Sequence, residues 1–171
     1  ELLERNYEVH LIASKPALIV TEQELGWESS ACWEETWHRH IPGEKLFCYD
    51  NSDIAARTAS GSFITEGMVI IPCSMSTVAA VANGLSNNLI ERTADVMLKE
   101  KRRLIMVPRE TPLSSVHLRN MLALADMGVH LIPAMPGFYH NPKTIEDLIN
   151  FLVGKVMDGI GINHNLFKRY E

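Results

Sequence analysis

Cysteine is scarce here: only Cys32, Cys48 and Cys73 occur among 171 residues. An odd number closes no disulfide framework, and the spacing is not that of a metal site. A reducing, cytoplasmic setting is the simplest reading. No apolar run approaches the length of a membrane span, and no signal peptide is visible. The formal net charge is −5 and no basic tail offsets it, which argues against a general nucleic-acid binder. Repeats and low-complexity segments are absent. So are a Ser/His/Asp motif, a His-x-x-x-His pair and a complete Gly-rich phosphate fingerprint. The seven histidines are scattered, which argues against a metal centre.

What remains is an ordinary globular composition, 46% hydrophobic and 22% charged. The length is one domain's worth, 1–171. The chain opens at Glu1 inside an amphipathic stretch. A doubly wound domain usually opens with a strand, so we expect a first strand and its loop to precede Glu1.

Residues 68–110 organise the chain. Two apolar, β-branched runs, 68–71 and 104–107, read as buried strands of a parallel sheet. Ser74, Ser76 and Thr77 follow the first, and Arg109 and Glu110 follow the second. In open α/β sheets ligands bind beyond the carboxyl ends of strands, where helix N-termini offer free amides. Those polar residues stand where a phosphorylated cofactor docks.

Elsewhere, residues 1–5 read as the end of a helix stopped at Asn6, and 8–13 as a strand. Ser14 then caps a helix begun by Pro16, or contacts an anion. Residues 22–40 carry Trp27, Trp33 and Trp37 with weak periodicity, as an oligomer surface or as core. A short strand is expected at 45–49, and helices at 75–84, at 88–101 and from about 115 to Met127, with a stop at Gly128. A buried strand at 129–133 leads to a rigid loop with Tyr139 and His140. Thr144 caps a last helix ending near Gly159, and the polar tail, 163–171, packs on a neighbour or frays. The alternation predicts an α/β three-layer sandwich with a mainly parallel sheet.

The chemistry-bearing residues are cations and hydroxyls at strand ends and on helices: Ser74, Thr77, Arg92, Lys99, Arg109, Tyr139 and Lys155. Glu110 stands among them. Such a set suits one or two phosphorylated ligands beside a carboxylate able to move a proton. Arg92 and Lys99, seven apart, share a helix face that is ordinarily a solvated stripe. Cys73 reads as a packed thiol, and His117 and His140 as structural.

Six strings occur in one order: GSF from Gly61, PCSM from Pro72, NLIERTADVMLKE from Asn88, VPRETPLS from Val107, HLRNML from His117 and PGFYHNP from Pro136. Together they resemble the UbiX/Pad-type flavin prenyltransferases, from about residue 8 to 161. The resemblance implies a Rossmann-type, flavodoxin-like subunit in a homo-oligomer, typically a dodecamer, with sites at subunit interfaces. It implies transfer of the dimethylallyl group of dimethylallyl phosphate to N5 and then C6 of reduced FMN, without a metal. The prenylated FMN would serve a UbiD-type decarboxylase. By matching motif, Ser14, Ser74, Met75, Ser76, Thr77 and Arg109 resemble FMN-binding positions. Arg92, Lys99, Tyr139 and Lys155 resemble the prenyl-phosphate cluster, partly donated by a neighbouring subunit. Glu110 resembles the proton-handling carboxylate, Glu24 a second glutamate near the flavin, and Lys99 is counted with them as catalytic.

Three departures stand out. The family's N-terminal Gly-rich loop has no counterpart, Lys155 replaces a common arginine, and Ile54 stands near the place of a tryptophan. Two other readings compete. One is a non-catalytic FMN-binding subunit of a decarboxylase system. The other is a flavin-dependent cysteine decarboxylase, whose Pro-x-Met-Asn motif PAMPGFY from Pro133 lacks.

Overall fold

The protein is described from a computed structural model, for residues 1–28, 30 and 32–169. The elements in order are β1 (Val9–Ala13), α1 (Lys15–Leu25), α2 (Trp33–His40), β2 (Leu46–Asp50), a 3-10 turn (Arg57–Ala59), β3 (Met68–Cys73), α3 (Met75–Ala82), α4 (Leu89–Lys99), β4 (Leu104–Pro108), α5 (Ser115–Asp126), β5 (His130–Leu131) and α6 (Ile145–Ile160). Two compact units result. One comprises Glu1–Phe63 with Asn87–Thr93, the other Ile64–Ser86 with Ala94–Glu171.

In the first unit β1 and β2 pair in parallel, from Val9 opposite Leu46 to Ala13 opposite Asp50. His10 braces the pair: its ring nitrogens lie 2.9 Å from the Tyr49 hydroxyl and 2.8 Å from the Glu8 carboxylate. Residues 1–6 form turns rather than a helix end, with Asn6 in the left-handed region. Ser14 caps α1, Pro16 occupies its first turn, and Gly26 at φ 67 ends it. Of the tryptophans, Trp37 is buried and meets Trp27 edge-on, while Trp27 stacks on His40. The core reading of these rings holds for Trp37. Positions 29 and 31, within the expected Trp-rich region, lie outside the described residues.

In the second unit the order is β3-β4-β5, all parallel. β4 is buried at every position, so the apolar run 104–107 is a strand covered on both faces. Ile105 and Val107 pack with Val156 and Ile160 of α6. By strand alternation Leu104 and Met106 face the other side, where α3 reaches β4 and packs on α5. Helices on both faces of a parallel sheet make three layers in this unit. β5 is shorter than the expected 129–133, with regular pairing only at His130 and Leu131.

α6 runs past Gly159. That glycine is a packing position, where an added Cβ would meet Ile105 Cδ1 at 2.8 Å, and Gly161 at φ 89 is the stop. At the start of α6, Thr144 and Asp147 form a reciprocal capping box. Of the two expectations for the tail, fraying is overturned for residues 163–169, which fold back on α6. His164 is buried and bonds Asp158 at 3.1 Å, and Phe167 packs against Phe151 with ring centroids 5.2 Å apart. Positions 170 and 171 lie outside the described residues.

That return needs Gly154. A Cβ there would collide with the Phe167 ring and lie 2.6 Å from His164 Cε1. Gly154→Ala is therefore expected to cost about 1–3 kcal/mol by overpacking. Thermal unfolding should show a midpoint lowered by several degrees, whereas Gly84→Ala adds a Cβ that meets nothing and suffers only its backbone strain.

Candidate active site

Parallel pairing brings three strand ends of the second unit to one edge. Cys73 is in register with Pro108, the Arg109 amide donates to the Cys73 carbonyl at 3.3 Å, and the Ala134 amide donates to the Pro108 carbonyl at 2.9 Å. Ser74 leaves β3 and caps α3, its Oγ accepting the Thr77 amide at 3.2 Å. The hydroxyls of Ser76 and Thr77 lie 2.8 and 3.0 Å from that Oγ. Three hydroxyls and the unspent amides of a helix start form a cradle for an oxyanion. Met75, between them, turns inward and is buried. Arg109 and Glu110 leave the adjoining strand exposed, and the Glu110 carboxylate accepts the Thr111 amide at 3.0 Å. A cation, a hydroxyl cradle and an exposed carboxylate thus share one edge. This group can bind a phosphate and handle a proton beside it.

The first unit has its own strand-end cleft of about 380 Å³, lined by Ser14, Lys15, Trp33, Asp50, Asn51 and Ser52 among others. Asn51 fills the start of α4: its carbonyl accepts the Leu89 amide at 2.8 Å and its side chain the Ile90 amide at 2.9 Å. That helix end is occupied, whereas α1 begins with Ser14 and the exposed Lys15. Hydrogen bonds from Ser52 hold the Asp50 carboxyl below the usual range, so the cleft keeps a negative charge opposite Lys15. Glu24 lies at the far end of α1, ten residues or about 15 Å from Ser14. Arg92 is exposed on α4. Lys99 closes that helix and pairs with Glu100 at 3.3 Å. It precedes the start of β4, at the other end of the strand from Arg109 and Glu110.

Tyr139 and Lys155 form a third group. Tyr139 is exposed and meets Phe151 edge-on at 5.8 Å, and the Lys155 ammonium lies 5.5 Å from the centre of the same ring. Phe151 therefore joins the two. Lys155 stands on α6, and Val156 and Ile160 of the same helix face β4. His140 stacks on Phe151 at 4.9 Å, and His117 completes the capping box of α5. Both ring nitrogens of His140 are buried without a hydrogen-bond partner among the described residues.

The Flavoprotein family profile matches residues 1–157. The flavin prenyltransferase UbiX of Alkalihalophilus pseudofirmus is 54% identical over 99% of this chain and 86% of its own length. The crystal structure of AnUbiX (PadA1) in complex with FMN and dimethylallyl pyrophosphate superposes with a TM-score of 0.88. Its identity is 40%, over 99% of this chain and 86% of that one. This chain belongs to the UbiX-like flavin prenyltransferases of the flavoprotein family. A dodecameric FMN-dependent UbiX-like decarboxylase from Escherichia coli O157:H7 also matches, at 42% identity and TM-score 0.85, over 97% of this chain and 85% of that one. The fold is the Rossmann-like, flavodoxin-type three-layer α/β sandwich of these relatives.

In this UbiX-like chain a single copy gathers Ser74, Met75, Ser76, Thr77, Arg109 and Glu110. It gathers Tyr139 and Lys155 separately, and leaves Lys99 at the opposite end of β4. Ser14 stands at a cleft of its own unit, away from Glu24. Lys15, Asn51 and Ser52 were missed from sequence, although residues 50–52 directly follow a strand and carry the same signal as 74–77. Among the described residues no three His, Cys, Asp or Glu side chains converge as a metal site requires.

Cys73 adjoins the cradle but is fully buried, and burial pushes its thiol up to about 12. A thiol-selective alkylating agent at pH 8 should leave Cys73 unmodified in the folded protein and label it after denaturation. Rapid native labelling, read by mass spectrometry of peptides, would contradict the packed-thiol assignment.

Proposed function

We propose that this enzyme transfers the dimethylallyl group of dimethylallyl phosphate to reduced FMN, first at N5 and then by ring closure at C6. Its product then serves a UbiD-type decarboxylase. The carrying observation is the cradle of Ser74, Ser76 and Thr77 with Arg109 and Glu110 on the strand beside it, in a member of the flavin prenyltransferases. FMN fits this edge. Its phosphate would take the hydroxyls and helix start, with Arg109 supplying charge, and Ser14 would contribute from the α1 start. When bound and reduced, FMN supplies the nucleophilic ring positions that accept the prenyl group.

The chain's own residues have two tasks. Arg92, Lys99, Tyr139 and Lys155 hold the prenyl phosphate, and they hold it more strongly as the C–O bond breaks and charge gathers on the leaving group. Glu110, with Glu24 as a second carboxylate, takes and returns the proton. A lysine at 155 keeps the attraction and gives up bidentate geometry. Lys99 and Glu110 at opposite ends of β4 support a site completed by neighbouring copies in a homo-oligomer, a dodecamer by analogy with the Escherichia coli relative. The family match across residues 1–157 supports reading both units as one flavoprotein domain. No helix among the described residues is long and apolar enough to cross a membrane. Three unpaired cysteines favour a cytoplasmic location.

Anaerobic incubation with reduced FMN and dimethylallyl phosphate should yield a flavin heavier by one five-carbon unit. Lys99→Ala should lower the rate about 100-fold, on the order of 3 kcal/mol of lost transition-state stabilisation. Flavin bound without any mass gain would instead mark a non-catalytic subunit.

A further inference from the structure

We infer that the C-terminal tail is a positioning device for the Lys155 ammonium, with Phe167 as its working residue. The inference rests on the proposed role of Lys155 in holding the prenyl phosphate. Phe151, Gly154, Lys155 and Asp158 lie at i, i+3, i+4 and i+7, on one face of α6, and the tail covers that face.

Two consequences follow for Lys155. First, its ammonium rests against two rings, 5.3 Å from the centre of Phe167 and 5.5 Å from that of Phe151. Cation–π attraction holds the charge in place while leaving its N–H donors unspent. Phe167 is itself fixed: its ring occupies the space left by Gly154 and lies 5.2 Å from the rings of Phe151 and His164.

Second, the tail occupies the carboxylate that would compete. Asp158 stands three residues beyond Lys155, the spacing of a helical ion pair. Arg169 holds it instead, with Nη2 donating to Oδ1 at 2.6 Å, and His164 Nε2 lies 3.1 Å from the same oxygen. The Leu166 amide donates to His164 Nδ1 at 3.2 Å, so Nε2 is the donor toward Asp158. Among the described residues Lys155 makes no hydrogen bond and no salt bridge, and it stays available to an incoming anion. A flexible lysine in place of a planar arginine gains from such support, because its point charge has no preset orientation.

The test measures dimethylallyl phosphate affinity by calorimetry on the flavin-loaded assembly, together with KM and kcat. Phe167→Leu keeps bulk and removes the ring's electrostatics. It should raise Kd and KM about threefold to tenfold and lower kcat as well, with little change in thermal midpoint. Phe167→Trp should restore both constants. In a Lys155→Met background the Leu substitution should change Kd no further, because the two residues act as one. Unchanged Kd in Phe167→Leu, additive losses in the double variant, or no binding to the parent protein would each overturn the inference. Failure of the wider reading looks different: the parent protein would make no prenylated flavin, whatever Phe167 does to phosphate affinity.

Discussion

Leu104–Pro108 has no face toward solvent, and that constraint orders the second unit. A strand buried on both sides must have helices above and below it and parallel neighbours beside it. Parallel pairing then sends every following segment out at the same edge. Ser74, Arg109 and Ala134 meet there because Cys73, Pro108 and the start of the 133–144 loop are bonded neighbours, not because those polar residues attract one another. The register also breaks between Ile70 and Cys73, at a proline that cannot donate to the ladder, immediately before the cradle.

Electrostatic provision is uneven across the chain. At the start of α3 the Thr77 amide and the Ser76 and Thr77 hydroxyls gather on the exposed Ser74 Oγ, whereas the start of α4 is filled by Asn51 and Asn88. Carboxylates near the proposed phosphate groups are placed differently: Asp158 is taken by Arg169 and His164, whereas Glu100 pairs with Lys99 itself. One chain concentrates hydroxyls, Arg109 and Glu110 at the β3–β4 edge and groups Tyr139 and Lys155 around Phe151. Symmetric assembly is the economical way to join such faces, since each copy offers what its neighbour lacks.

How much could be read beforehand depended on the range of the interaction. Strands at 68–71 and 104–107, the caps Ser14 and Thr144, and the stop near Gly128 follow from local pattern and were legible. So were the cradle residues and Arg109, which directly follow apolar runs. Asn51 was not, because it bonds α4 amides 39 residues away. The end of α6 near Gly159 was legible to within a residue, whereas the packing of that glycine on Ile105 and His130 is invisible in sequence. The tail was misread for the same reason. Its polar surface suggests fraying, and only the missing Cβ of Gly154 makes room for Phe167. The roles of Arg92, Lys99 and Glu24 came from resemblance alone, and the structure puts the first two on α4 and Glu24 near the end of α1.

The claim that neighbouring copies complete the site is tested most directly by mixing two defective chains. Glu110→Gln and Lys155→Met would be co-expressed, and prenyl transfer measured on the mixed assemblies. If the carboxylate of one copy works with the ammonium of another, random mixing restores about one site in four, although each variant alone is impaired. If both residues act within one chain, no site in the mixture holds both. Activity no higher than that of the separate variants would contradict the account.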